Sequence, residues 1–390
     1  MAFFIDAHCH PPLKHFLFGH SPVKKGHATQ DSNYTNIQVT VPAMQKGGLH
    51  VVLAAHYLPE KQIKDDWKMI DASKPVKKFM EKYSDKLERE DAFAQTLSMI
   101  DAFEEEFAEA EEAAVAHNIA ELEQHLDRQK KVFIHTVEGA HHLGRGLSVA
   151  DYNEHIAQLS AKGVAMLTLL HFYPNDVTTP TEGLPPGQKK LVGMQYISQP
   201  APLTTVGKGI VETLLKSRII IDLTHTNHEA RQEIFALNEK LGRKPMVFSH
   251  AGVRGMFTDK EHPHFSLINP DDDELLQIKG CNGLIGIVFM NYFLVGKEEH
   301  PGSENDNKGL KYILSTIRHI ATVTGSFDHI AIGTDFDAMS DPPDDLYAYH
   351  QFEEFSEQLY RHKDYLGATD ADIEKIKGGN ILRVLREVWG

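Results

Sequence analysis

Residues 218–250 read RIIIDLTHTNHEARQEIFALNEKLGRKPMVFSH. Arg218–Leu223 is a short apolar, β-branched run, and Pro245–Phe248 is another. Between them, Glu229–Leu241 carries apolar residues near helical spacing. Buried parallel strands read as short apolar runs separated by amphipathic helices, so this stretch predicts a β-α-β unit. Each strand runs into a histidine, Thr224-His225 after the first and Ser249-His250 after the second.

The same rhythm recurs along the chain. Further strands are predicted at Ala2–Ile5, His50–Ala54, Lys131–His135, Val164–Leu170, Gly283–Phe289 and His329–Ile332, making eight in all. Helices are predicted at Asp151–Lys162, Lys208–Lys216 and Pro270–Lys279; in the last, Asp271–Asp273 sit in the first turn, where carboxylates suit the helix dipole. Eight strand–helix alternations are the signature of an α/β chain folded as a (β/α)8 TIM-type barrel. A doubly wound sheet would need neither eight units nor a ring of polar strand ends. Residues 83–126 interrupt the rhythm with an acidic, Ala- and Leu-rich stretch. It is read as one or two amphipathic helices inserted between strands two and three, with Glu104-Glu105-Glu106 on a solvated face. Residues 173–199 and 291–309 read as loops at the catalytic end. One domain over 1–390 accounts for the whole pattern.

Bulk properties narrow the function. Hydrophobic residues are 41% and charged residues 24%, ordinary for a globular enzyme, and the net charge of -15 argues against nucleic acid or an anionic membrane as partner. The two cysteines, Cys9 and Cys281, imply no disulfide framework. The N-terminal residues lack a basic region followed by an apolar core, and no apolar run nears the roughly 20 residues that span a bilayer. A cytoplasmic protein is expected, with a homodimer left open beside a monomer.

In such barrels the reacting groups stand at the C-terminal strand ends. Here those ends carry Asp6-Ala7-His8-Cys9-His10, His56-Tyr57, Glu138, His171, His225, His250, Asn291-Tyr292 and Asp335. Every end but the seventh offers imidazole or carboxylate. The two-residue spacing of His8 and His10 puts both on one face of a strand, with Cys9 opposite. Imidazole suits zinc and similar divalent ions, and one carboxylate can bridge two of them roughly 3.5 Å apart. The expected centre holds two divalent metal ions, zinc the first choice. His8, His10 and Glu138 take one ion; Glu138, His225 and His250 take the other. Asp335 is the expected proton handler.

These residues, with Val137-Glu138-Gly139, Leu170-His171, Asp222-Leu223-Thr224-His225, Phe248-Ser249-His250 and Asp335-Phe336-Asp337, resemble the membrane dipeptidase (renal dipeptidase) family of the amidohydrolase superfamily. The resemblance implies hydrolysis of a dipeptide or related small amide, with His171 contacting substrate and stabilising the oxyanion. Two positions depart from the family pattern. His10 stands where members carry Asp, and residues 264–272 lack the Arg that binds the substrate carboxylate. Arg254 and Tyr292 are the candidate substrate contacts in this chain. Two other readings stay open: a hydrolase of a lactone, cyclic amide or phosphoester, and a metal-binding protein without turnover. The retention of Asp335 speaks against the last.

Overall fold

The computed structural model describes residues 3–29, 36–69, 81–183, 189, 194, 198–257, 265–294, 308–338 and 342–390. Its nine strands are β1 (Ile5–Cys9), β2 (Val51–His56), β3 (Ala113–Ala116), β4 (Lys131–Glu138), β5 (Met166–Thr168), β6 (Ile220–Asp222), β7 (Val247–Ala251), β8 (Leu284–Ile287) and β9 (Ile330–Ile332). All pair in parallel, and β2 bonds to both β1 and β4, so the sheet closes on itself. The closed ring is an eight-stranded (β/α)8 TIM-type barrel, as expected.

Two corrections follow. The first strand is not Ala2–Ile5 but Ile5–Cys9, so His8 lies within it, and a register shift between Asp6 and Cys9 breaks plain alternation there. The inserted stretch is not purely helical. It contains a helix at Ala92–Glu105, the strand β3, and a helix at Ile119–Asp127. β3 lies along Lys131–Ile134 of β4, while β5 takes up Thr136–Glu138 further along. A short run of three alanines and one valine after Glu111-Glu112 gives only a weak β-branched signal, and alanine favours helix in isolation. Parts of the two expected loops, 184–188 and 295–307 among them, lie outside the described residues.

Strand parity sorts the core into two bodies. Ile5, Val51, Leu53, Val132, Ile134, Met166, Ile220, Val247, Leu284 and Ala331 fill the barrel interior. Val52, Phe133, Ile221, Phe248, Ile285 and Ile332 face outward under the helices. The C-terminal helix Asn380–Val388 and Trp389 add Ile381, Leu385 and Trp389 to the inner body. Apolar packing therefore occupies the barrel and leaves the polar strand ends together at the other end. Among the described residues no helix is long and apolar enough to cross a membrane.

Just above the inner apolar layer the strands must come close. A methyl group on Gly333 would meet the Ser249 carbonyl oxygen at 1.8 Å, and one on Gly286 would meet it at 2.0 Å. Backbone blocks any such side chain, so the absence of Cβ at both positions lets β7, β8 and β9 converge under Ser249. We expect Gly333→Ala to destabilise the fold by about 1–3 kcal/mol, since the strands must shift to admit it. Urea denaturation reads this directly; an unchanged midpoint would show that the strands do not meet as described.

Candidate metal centre

Glu138 is the last residue of β4 and is 1% exposed. Five imidazoles converge on it. Its Oε1 lies 3.5 Å from His8 Nε2, 3.5 Å from His225 Nε2 and 3.6 Å from His250 Nε2. Its Oε2 lies 3.4 Å from His10 Nε2 and 3.6 Å from His171 Nε2. His10 Nε2 also stands 3.1 Å from Asp335 Oδ1. The positions expected from strand ends thus meet around one carboxylate, with His8 in reach of both groups: its Nε2 is 3.0 Å from that of His10.

Neither oxygen of Glu138 has a hydrogen-bond partner among the described residues. Burial pushes its carboxyl up to about 7, with His171 and His10 pulling back. Leaving a buried carboxylate without donors is costly, and the five imidazole nitrogens stand 3.4–3.6 Å from its oxygens, longer than a good hydrogen bond. A tetrahedral ion with nitrogen ligands at roughly 2.0–2.1 Å separates them by roughly 3.3 Å. His225 Nε2 and His250 Nε2 are 3.1 Å apart.

The surrounding hydrogen bonds decide which ring nitrogens are free. Ser249 Oγ lies 2.6 Å from Asp222 Oδ2, to which it donates its one proton. It must then accept from His8 Nδ1 at 3.1 Å and His250 Nδ1 at 2.9 Å. Both rings carry hydrogen on Nδ1 and turn a bare Nε2 toward Glu138, the tautomer a metal ligand needs. Asp222 is itself held by Thr168 Oγ1 at 2.5 Å, Thr224 Oγ1 at 2.7 Å and the Ser249 backbone N–H at 2.9 Å. Asp6 does parallel work at β1 and β9, accepting from the His8 N–H, the Thr334 N–H and hydroxyl, and the Tyr349 hydroxyl. Burial raises Asp6 to about 6 against those donors.

Electrostatics separate the groups by role. Burial drives His8 and His250 well below the ordinary imidazole value, and brings His225 to about 4. Burial also lowers His10, but Glu138 and Asp335 outweigh it and the net shift is upward. Asp335 is lowered although burial opposes this, because His250 and His10 stand against it. His225 and Asp335 hold φ of 65° and 60°, in the left-handed region that costs a non-glycine residue free energy and clusters at functional sites.

Glu60 is the member of this centre that sequence reading missed. It is fully buried four positions beyond β2, accepts from the Tyr57 hydroxyl at 2.6 Å and the Phe172 N–H at 2.9 Å, and lies 3.4 Å from His171 Nδ1. Burial would raise its carboxyl, yet His171 leads the groups that hold it well below the usual range. Only its place after a strand hinted at this. The two candidate substrate contacts sit farther out. Arg254 Nη1 is 3.7 Å from Asp271 Oδ2, and the Tyr292 hydroxyl is 3.0 Å from Met290 Sδ in the turn after β8. At the Arg-less stretch, the Leu267 and Ile268 carbonyls accept from the buried Arg231 guanidinium.

Comparison with known proteins adds the family. The chain is 30% identical over 182 residues to an uncharacterized dipeptidase of Schizosaccharomyces pombe, a match covering 47% of this chain and 39% of that protein. It is 29% identical over 169 residues to a dipeptidase of Aspergillus terreus, covering 43% and 36%. The aligned part spans under two-fifths of these relatives. Among solved structures it superposes on the metallopeptidase called dipeptidase AC with a TM-score of 0.72, 18% identity and all of both chains covered. It superposes equally broadly on a metallopeptidase from Rhodobacter sphaeroides bound to a phosphinate mimic of L-Ala-D-Ala, with a TM-score of 0.69, 18% identity and 99% of each chain. At such identity these likenesses show the fold alone. The model of the family described as Membrane dipeptidase (Peptidase family M19) matches residues 2–389, and the chain belongs to that family.

Proposed function

We propose that this chain is a metal-dependent hydrolase of dipeptidase type, cleaving a dipeptide or related small amide. It acts as one domain over residues 1–390, with 83–126 as an insertion. His8, His10, Glu138, His225 and His250 would hold two divalent cations, zinc the first choice. The observation that carries this reading is Glu138, whose two buried oxygens lack hydrogen bonds among the described residues while five imidazole Nε2 atoms from four strand ends face them. The free thiols Cys9 and Cys281 are both buried and fit a reducing, cytoplasmic setting.

Bound divalent cations supply acidified water and polarise a carbonyl. The chain's own groups do the rest. Asp335, ionised beside His10, accepts the proton of the attacking water and returns it to the leaving amine. His171, braced by Glu60 and the Tyr57 ring 4.2 Å away, offers its Nε2 toward the oxyanion. Arg254 can serve the substrate carboxylate by exchanging Asp271 for it, since a half-exposed pair of this length holds by only about 0–1 kcal/mol. Tyr292 would close the side of the mouth after β8.

Four measurements test this. Purified protein should carry divalent metal and hydrolyse members of a panel of dipeptides, including those with a C-terminal D-residue, in preference to lactones and phosphodiesters; chelation should abolish turnover and zinc, manganese or cobalt restore it. Glu138→Gln should lose both metal and activity. Asp335→Asn should keep its metal but lower kcat roughly 10²–10⁴-fold, and full activity in that variant would refute the proton-handling role. Ser249→Ala removes the acceptor that sets two ring tautomers. We expect roughly 10–100-fold weaker metal binding in a competition titration, and unchanged affinity would break the tautomer argument.

A further inference from the structure

A second group of ligand-type side chains lies on the outer side of the barrel wall. Glu104 lies in the last turn of the helix Ala92–Glu105, His117 follows β3, and His135 projects from β4 on the opposite parity to the inward Ile134 and Glu138. His117 Nε2 is 3.0 Å from Glu104 Oε1, and His135 Nε2 is 2.9 Å from the same oxygen. One donor atom from each residue lies within 4.8 Å of the others. The acidic run that reads as a solvated face therefore turns one carboxylate inward.

The ring of His117 is wedged between two acceptors. Its Nδ1 is 2.9 Å from Glu121 Oε2 while its Nε2 faces Glu104. A neutral imidazole has one N–H, so it can satisfy only one of them. Either the ring is an imidazolium, a state Glu104 and Glu121 favour by raising it to about 9, or a cation replaces the proton on Nε2 and is shared by Nε2 and Glu104. Three features fit the cation. Glu121 is fixed as an outer partner: Asn118 Nδ2 donates to it at 2.9 Å, the His117 backbone N–H donates to it at 3.0 Å, and its own N–H is capped by Asn118. The resulting carboxylate–histidine–metal arrangement is the usual way a ligand ring is oriented. His135 has the matching outer partner in His56, whose Nε2 is 2.9 Å from His135 Nδ1. Finally, two carboxylates face the cluster, so a single imidazolium leaves it net negative.

We propose that Glu104, His117 and His135 form a further divalent-cation site, distinct from the barrel mouth, that ties the inserted helix–strand–helix unit to β4. Two imidazoles and one carboxylate favour zinc, with solvent completing the shell, because Glu104 and His117 keep side-chain exposures of 30% and 37%. The site is independent of the hydrolytic reading, since none of its residues touches Glu138.

The test is zinc loading, desalting and elemental counting per chain. Wild type should hold one more tightly bound zinc than His117→Ala and than the near-isosteric Glu104→Gln, whatever number the barrel mouth holds. Added zinc should raise the melting temperature of wild type more than that of either variant. Equal zinc counts in wild type and Glu104→Gln would overturn the proposal. So would nitrogen NMR showing that the His117 ring keeps both protons in zinc-saturated protein.

Discussion

A buried carboxylate with no donor among the described residues, ringed by imidazoles, is the constraint around which this molecule is organised. Glu138 taken alone is a liability, because burying an unpaired charge costs far more than a hydrogen bond returns. The barrel surrounds it with five imidazoles, each able to present a ring nitrogen toward it. Such a set suits a bound cation. Stability and chemistry therefore meet at one residue, and the strand ends are placed to serve it.

Placement is achieved a shell further out. Asp222 and Asp6 each staple neighbouring strand ends by accepting backbone and hydroxyl protons across them. Ser249 then translates the first of these staples into ring orientation for two histidines. Among the described residues neither aspartate hydrogen-bonds Glu138, yet both hold the strand ends that aim the imidazoles. The left-handed backbone at His225 and Asp335 is held by the same scaffold, a local cost borne where side chains must leave the strand at an unusual angle.

The barrel and the ring of ligand-type residues were readable because both depend on short-range pattern. Parallel strands buried on both faces show as apolar runs, and a histidine directly after such a run has only one end of the barrel to occupy. What escaped was decided by tertiary neighbours. β3 is three alanines and a valine that become a strand because the first half of β4 offers them a free edge. Glu60 gains meaning only when Tyr57, Phe172 and His171 close over it, and the contacts to Phe172 and His171 span more than a hundred residues. The shift of the first strand by a few residues has a similar origin, since its register is set by β2 and β9 rather than by its own composition.

The C-terminal helix and Trp389, packed into the inner apolar layer, stopper the lower end of the barrel. Among the described residues the open end of the barrel is therefore the rim above Glu138. In the proposed hydrolase, substrate and products would share that end, so a departing product would have to clear it before the next molecule settles, and whatever crowds the rim would set the pace of exchange.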